Sequence, residues 1–245
     1  MLNDRRVYRY STLGSTNDEA KRLAMLGEPN GTLVVADIQT AGRGRSGRQW
    51  VTPPGAAIAM SLILHPPIPS FQIAQVALLG GLAALEGIEQ TTGLTAQLKW
   101  PNDVLINGRK VAGVLAEATF TGDKLESVVV GIGVNVNAGP PLDLKLDYPA
   151  TCLAVEVGHP LDREPLVNAI VTAFDARYQQ LGTAALRQAW AKHLAMFGKM
   201  VKAIGPGETV FGTLEGVTDE GAVVILLESG ERRTVLAGDV HLREG

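Results

Sequence analysis

Asn107-Gly108 lies between two runs of β-forming residues, and this dipeptide constrains the middle of the chain more tightly than any other feature. Both residues accept the positive φ that a two-residue type I′ turn requires, so the flanking runs become antiparallel strands in a defined register. The turn sets Ile106 opposite Arg109, Leu105 opposite Lys110 and, counting on, Asp103 opposite Ala112. Facing residues share a side of the ribbon, which makes Asp103 and Lys110 diagonal neighbours roughly 7–8 Å apart at the backbone. On this count Lys110 alternates with Ala112, Val114 and Ala116, which leave room for a ligand beside an ammonium and a carboxylate. An ordinary cross-strand ion pair on a solvent-facing hairpin satisfies the same pattern.

Other elements follow from spacing. Thr16 to Glu19 has the form of a capping box, opening a helix through Ala20, Leu23 and Ala24 that stops at Gly27. Thr32 to Ile38 and Ala56 to Leu64 read as buried strands, and Phe71 to about Thr91 as a long apolar helix. Strands crowd from Thr95 to Asn137, and helices are expected over Pro165–Leu181 and Ala184–Phe197. From Lys199 the texture changes to short β-type runs at Val201–Ile204, Thr209–Glu215, Ala222–Glu228 and Arg232–Leu236. That spacing predicts a small barrel, and so few residues make a marginal core, so it should dock on the rest.

The strand ending at Ile38 delivers Gly42-Arg43-Gly44-Arg45-Ser46-Gly47-Arg48-Gln49-Trp50, three glycines, three arginines and an indole in one loop. Glycine lets backbone N–H groups approach a ligand, and guanidinium forks match phosphate and carboxylate oxygens bidentately. A basic stretch that touches nucleic acid is the alternative. Net charge -3 over 245 residues argues against the broad basic surface of a non-specific nucleic-acid binder, so a small anionic ligand fits better.

Several chemistries fail on spacing. Gly131-Ile132-Gly133 lacks the third glycine and the following helix of a dinucleotide fingerprint; it marks a bulge or a close approach in a strand. Gly42 to Gly47 has P-loop spacing, but Arg48-Gln49 follows where Lys and Ser/Thr are needed. His65, His159, His193 and His241 are scattered, with no zinc spacing, and Ser46 is not in a nucleophile elbow. Cys152 is the single cysteine, which excludes an intrachain disulfide and points to a reducing compartment. Val76 to Leu85 is too short to cross a bilayer and the N-terminus has no signal-peptide run, so a cytoplasmic location is expected.

Taken in order, Ser15-Thr16-Asn17, Gln39, Gly42 to Trp50, Lys99-Trp100-Pro101-Asn102-Asp103, Lys110-Val111-Ala112-Gly113 and Gly131 to Asn135 resemble the biotin protein ligases. The resemblance implies an α/β fold of the class II aminoacyl-tRNA synthetase/biotin synthetase type, with a mixed sheet and flanking helices. It also implies a C-terminal SH3-like β-barrel, dividing the chain into a catalytic domain over 1–197 and a small domain over 198–245. The implied reaction joins biotin to AMP, releasing pyrophosphate, and then transfers biotin to a lysine of a biotin carboxyl carrier protein. A mixed anhydride hydrolyses readily, so its phosphate must be neutralised and water kept away, a task for a loop that orders around its ligand. Lipoate and octanoate ligases are the nearest rival.

By position, the resemblance places Ser15, Thr16, Asn17, Gln39, Gly42, Gly113 and Gly131 around biotin. Arg43 and Lys110 meet the carboxylate and the activated phosphate, while Arg45 and Arg48 retain the adenylate. Trp50, Lys99, Asn102 and Asn135 surround ATP, and Asp103 carries Mg²⁺. Arg43, Arg45, Arg48, Lys110 and Asp103 form the implied catalytic set, with no evident general base for the acceptor lysine. Some relatives add an N-terminal helix-turn-helix, whereas the first motif here begins at Ser15, so no DNA-binding or repressor activity is expected. No membrane contact is expected, and open strand edges are compatible with a homodimer.

Overall fold

The computed structural model describes residues 5–51, 53–141, 148–205, 208–236 and 241–244. A seven-stranded mixed sheet forms the body. Its strands in chain order are β1 (Val7–Leu13), β2 (Leu33–Gln39), β3 (Ala57–Leu64), β4 (Gln97–Lys99), β5 (Asp103–Ile106), β6 (Arg109–Thr121) and β7 (Lys124–Asn135). They lie side by side as β1-β2-β3-β7-β6-β5-β4, with β1 and β2 parallel and every other pair antiparallel.

Two layers cover the sheet. Helix α2 (Ala74–Thr92) is apolar on every side because it is sandwiched between the sheet and α4 (Arg163–Tyr178), with α5 (Ala184–Lys192) beside them. Ile58, Met60, Leu62 and Leu64 of β3 point into this core, joined by Val128, Val130, Ile132 and Val134 of β7. On the opposite face α1 (Thr16–Met25) packs Ala20 and Leu23 on Val34, Ile63 and Val129. Strand alternation therefore assigns Ala59, Ser61, Gly131, Gly133 and Asn135 to the α1 face, beyond the end of that small cluster. A short helix, α3 (Leu153–Val157), follows β7.

The segment after residue 198 folds as a five-stranded antiparallel sheet of β8 (Met200–Gly205), β9 (Glu208–Val217), β10 (Val223–Leu226), β11 (Arg232–Val235) and β12 (His241–Glu244). Its order is β11-β10-β9-β8-β12, in keeping with a small SH3-like unit, and no described pairing joins β11 to β12. It docks as expected. Val201, Leu214, Val223 and Ile225 continue the main core, Trp100 Nε1 donates to Gly221 O at 2.8 Å, and Gln75 Nε2 donates to Asp219 O at 2.7 Å.

Three sequence expectations change. The turn residues Asn107 (φ 50) and Gly108 (φ 69) are left-handed, and Ile106 faces Arg109 and Leu105 faces Lys110 as counted. Asp103, however, faces Gly113 rather than Ala112, because a bulge after Leu105 inserts Val111. Val111 and Ala112 are both wholly buried in the core, and Lys110 N and O bond Pro149 O and Thr151 N instead of β5. The face of Lys110 consequently continues through Gly113, Leu115 and Glu117, while Ala112 and Val114 turn away. The capping box is also absent: Ser15 is the N-cap without a side-chain cap bond, and Glu19 bonds Arg22 and Tyr10. Finally, α3 and β12, of five and four residues, are too short to announce themselves locally, and β1 is a mixed edge strand that, like β12, depends on pairing in its sheet.

The helix and turn over Ser70–Thr92 are long and apolar enough to cross a membrane, yet two thirds of that window is buried inside the molecule. It is a core helix.

Candidate active site

One cavity gathers the candidate residues. Its floor is a row of small residues, Ala59, Gly133 and Gly113, held side by side by the β3–β7 and β7–β6 ladders, with Asp103 next in line on β5. The loop from β2 arches over this floor. Its neck is Gly42, whose carbonyl accepts from Trp50 N at 2.9 Å, and Arg43 bridges to Gln49 just inside. A Cβ on Gly42 would meet Trp50 O at 2.3 Å, so the residue shapes the loop; among the candidates it alone does not line the cavity.

Trp50 reaches back under the arch. A Cβ on Gly133 would sit 2.3 Å from the indole, and one on Gly113 3.2 Å from it, so only a glycine floor admits the ring. The indole Nε1 is buried without a hydrogen-bond partner, and Lys110 Nζ lies 5.6 Å from the ring centroid. Gly131 meets a different neighbour: its missing side chain makes space for the Asn17 amide, at 2.2 Å from a hypothetical Cβ. The Gly-X-Gly of β7 thus marks close approach and no bulge, since β3 and β7 stay in register throughout.

The cations occupy two sides. Lys110 Nζ is 2.6 Å from Asp103 Oδ1, the ion pair the hairpin predicted, in spite of the altered register. Arg43 is clasped by Asp18, at 2.5 and 2.7 Å, and by Glu117 at 3.3 Å. The Arg43 hydrogen bond holds the Asp18 carboxyl below its ordinary value, outweighing desolvation. Burial opposes the charge on Glu117, but hydrogen bonds from Lys21 and Asn17, with the nearby Lys21 and Arg43 charges, bring its carboxyl below the usual glutamate value. Arg43 is correspondingly pushed up, first by Asp18. Arg45 and Arg48 line the cavity from the short turn Arg45–Gly47.

At the α1 end the donors and acceptors are wired together. Thr16 N and Oγ1 both donate to Gln39 Oε1, at 2.8 and 3.0 Å, and Asn17 Nδ2 donates to Glu117 and to Leu115 O. Beneath them Ser61 Oγ touches Thr16 Oγ1 at 2.8 Å and Asn17 Oδ1 at 2.6 Å. Two hydroxyl hydrogens are available to the three oxygen–oxygen contacts among Thr16, Gln39, Ser61 and Asn17, so at most two of these contacts are hydrogen bonds at once. At the other end Asn102 Nδ2 holds Val114 O, Asn135 Nδ2 holds Thr151 O, and Lys99 Nζ lies 4.9 Å over the Tyr148 ring.

Sequence reasoning missed Ser61, Asp18, Glu117, Tyr148 and Ala150. Ser61 had a signal, a lone hydroxyl in an otherwise apolar buried run. Glu117 needs the Val111 bulge before it shares a face with Lys110, and Tyr148 and Ala150 come from a segment without periodicity.

A family model described as Biotin/lipoate A/B protein ligase family matches residues 10–135, which contain the arch, the floor and all of the cavity lining except Pro140, Tyr148 and Ala150. The chain belongs to that family. A second model, Biotin protein ligase C terminal domain, matches residues 196–243. The chain is 39% identical over 240 residues to the Bifunctional ligase/repressor BirA of Bacillus subtilis, covering 95% of this chain and 73% of that protein. It is 37% identical to the Biotin–[acetyl-CoA-carboxylase] ligase of Paracoccus denitrificans, over 92% of this chain and 96% of the relative. The biotin protein ligase from Aquifex aeolicus in complex with biotin and ATP superposes with a TM-score of 0.83 at 29% identity, covering 98% and 99% of the two chains.

Proposed function

We propose that the protein is a biotin–[acetyl-CoA-carboxylase] ligase, which activates biotin with ATP to biotinyl-5′-AMP and transfers biotin to a lysine of a biotin carboxyl carrier protein. The observation that carries this reading is the single cavity in which a glycine floor, an indole, a hydroxyl–amide cluster and the cations Arg43, Arg45, Arg48, Lys99 and Lys110 converge. The match of the tail to the biotin protein ligase model favours biotin over lipoate.

The geometry suits the two steps. The hydroxyl–amide cluster of Ser15, Thr16, Asn17 and Gln39 receives the polar head of biotin, beside Gly113 and Gly131, where a side chain would displace Trp50 and Lys110 or the Asn17 amide. The biotin carboxylate attacks the α-phosphorus, the bond to the bridging oxygen breaks, and pyrophosphate leaves with the electron pair. Lys110 and Arg43 neutralise charge that grows on the phosphoryl oxygens, in a site whose loop excludes water. Asp103 keeps Lys110 aimed at that centre. Arg45 and Arg48 retain the adenylate, and Trp50, Lys99, Asn102 and Asn135 take the nucleotide.

No group of three or more His, Cys, Asp or Glu side chains suited to a metal occurs among the described residues. One carboxylate suffices for Mg²⁺ that arrives on nucleotide phosphates and keeps its waters. Asp103 would hold it, and the ion would supply further neutralisation of the phosphates. We further place the protein in the reducing cytoplasm, consistent with the buried thiol of Cys152, and divide it into a catalytic unit over 1–197 and a C-terminal unit over 198–245. A homodimer would build on β1, since the other end strand, β4, is capped by hydrogen bonds to His193 and Ala195.

The test is pyrophosphate release from ATP with biotin, lipoate or octanoate as the acid, followed by label transfer to a carrier domain. Release and transfer with biotin alone are expected; turnover with lipoate or octanoate in preference to biotin overturns the reading.

A further inference from the structure

Glu156 of α3 is a buried carboxylate that the proposed chemistry does not use. Its side chain is 3% exposed and meets three donors: Asn107 Nδ2 at 2.8 Å, Arg109 Nη2 at 2.7 Å and the Thr151 hydroxyl at 2.5 Å. The first two stand at the β5–β6 turn, and the third lies in the segment that enters α3. The carboxylate has a fixed base, because Leu153 is wholly buried in the core and Ala154 N bonds Val136 O just beyond β7. Glu156 is not part of the cavity wall, whereas Tyr148 and Ala150 of the adjoining segment are.

Thr151 is where this anchorage meets the site. Its N–H donates to Lys110 O at 2.9 Å, its carbonyl accepts from Asn135 Nδ2 at 3.0 Å, and nearby Pro149 O accepts from Lys110 N at 2.8 Å. The bulge turns the Lys110 backbone toward this segment. Residues 148–152 lie outside every strand and helix, and they meet Lys110 through a single isolated bridge. Main-chain pairing of that extent is a weak tether, and a segment so held keeps its place only where side chains fasten it.

Resting on the ligase reading, we propose that Glu156 is a positioning residue for the nucleotide end of the site. Its carboxylate fastens Thr151 to the hairpin turn, and Thr151 in turn fixes the Lys110 backbone, the Asn135 amide and the wall at Tyr148 and Ala150. A carboxylate is needed there, and not simply a polar group. It only accepts, and all three partners donate, whereas a glutamine turns its own NH2 toward one of them. Burial makes that mismatch costly, because a buried donor without an acceptor keeps its desolvation penalty. The opposite end of the cavity is held by other bonds, those that tie Thr16 and Asn17 to Gln39, Ser61 and Glu117.

The test uses the intact enzyme with Glu156→Gln, Thr151→Val and Thr151→Ser, each checked for folding by urea denaturation. In steady-state pyrophosphate release, Glu156→Gln should raise the KM for ATP at least about tenfold and Thr151→Val at least about fivefold, while Thr151→Ser, which keeps the hydroxyl, stays within about twofold of wild type. Calorimetry should find the biotin dissociation constant of all three within about twofold of wild type. A KM for ATP within about twofold of wild type in folded Glu156→Gln and Thr151→Val overturns the positioning role, and so does an equal rise in the ATP and biotin constants. A residue that only stabilises the fold would lower the urea midpoint and leave that difference between the two substrates at zero. Should Glu156→Gln fail to fold, the contrast between Thr151→Val and Thr151→Ser decides by itself. Wild-type enzyme that releases no pyrophosphate with biotin and ATP would refute the ligase reading, and this inference with it.

Discussion

Lys110 and Asp103, diagonal neighbours in the hairpin, pair at 2.6 Å and are both partly buried, so removal of the lysine strands a carboxylate where the proposed reaction holds phosphate charge. Lys110→Ala should therefore slow adenylate formation by about 2 kcal/mol, roughly thirtyfold, in single-turnover pyrophosphate release. Gly133→Ala tests the floor: its methyl would collide with the Trp50 indole, so the ring must leave. The variant should fold with an unchanged urea midpoint within about 0.5 kcal/mol, show a shifted tryptophan emission, and bind ATP more weakly in calorimetry. Asp18 and Glu117 have folded-state pKa values below their unfolded ones, so their ionic contribution is complete above about pH 4.3 and is lost as the pH falls through the folded values. As the pH falls through those lower, folded-state values Arg43 should be released. Thermal unfolding between pH 3 and 7 should show an acid-side loss of stability that is reduced in Asp18→Asn, and an equal loss in that variant would contradict the assignment.

At the level of the element, the hairpin and the bulge divide the labour. The turn was readable because Asn107 and Gly108 are among the few residues that accept left-handed φ, and they alone set the first two pairs. Gly108→Ala should cost about 1–2 kcal/mol in urea denaturation, because φ 69 places its new Cβ against the following carbonyl. The bulge at Val111 was not readable, since its driving forces are the burial of two adjacent side chains and the pairing of Lys110 with residues near 150, both remote in sequence. It nonetheless determines that Gly113, and not Ala112, lies beneath Trp50. Helix α1 teaches the same lesson in reverse. The Thr16–Glu19 pattern is a sound local capping signal, yet Gln39 and Ser61 recruit the Thr16 hydroxyl to the cavity wall.

For the whole molecule, the informative contact is between the body and the C-terminal sheet. Trp100 is wholly buried and its Nε1 donates to Gly221 O at 2.8 Å, one residue before Pro101 enters the cavity. Trp100→Phe keeps most of the volume but leaves that carbonyl without its donor, which should lower stability by about 1–3 kcal/mol in urea unfolding.

Glycines that only a close approach can explain, a loop rich in arginine and a turn that only a few dipeptides favour are properties of single residues, and they were legible in order along the chain. Hence the anion loop, the Asp103–Lys110 pair and the family resemblance needed no coordinates. What the tertiary structure alone decided were distances between segments far apart in sequence: the Asp18–Arg43–Glu117 clasp, the indole lying over Gly133, and the docking of Gly221 on Trp100. These depend on how sheet, helices and tail pack together, and packing is a property of the whole chain that no local pattern encodes.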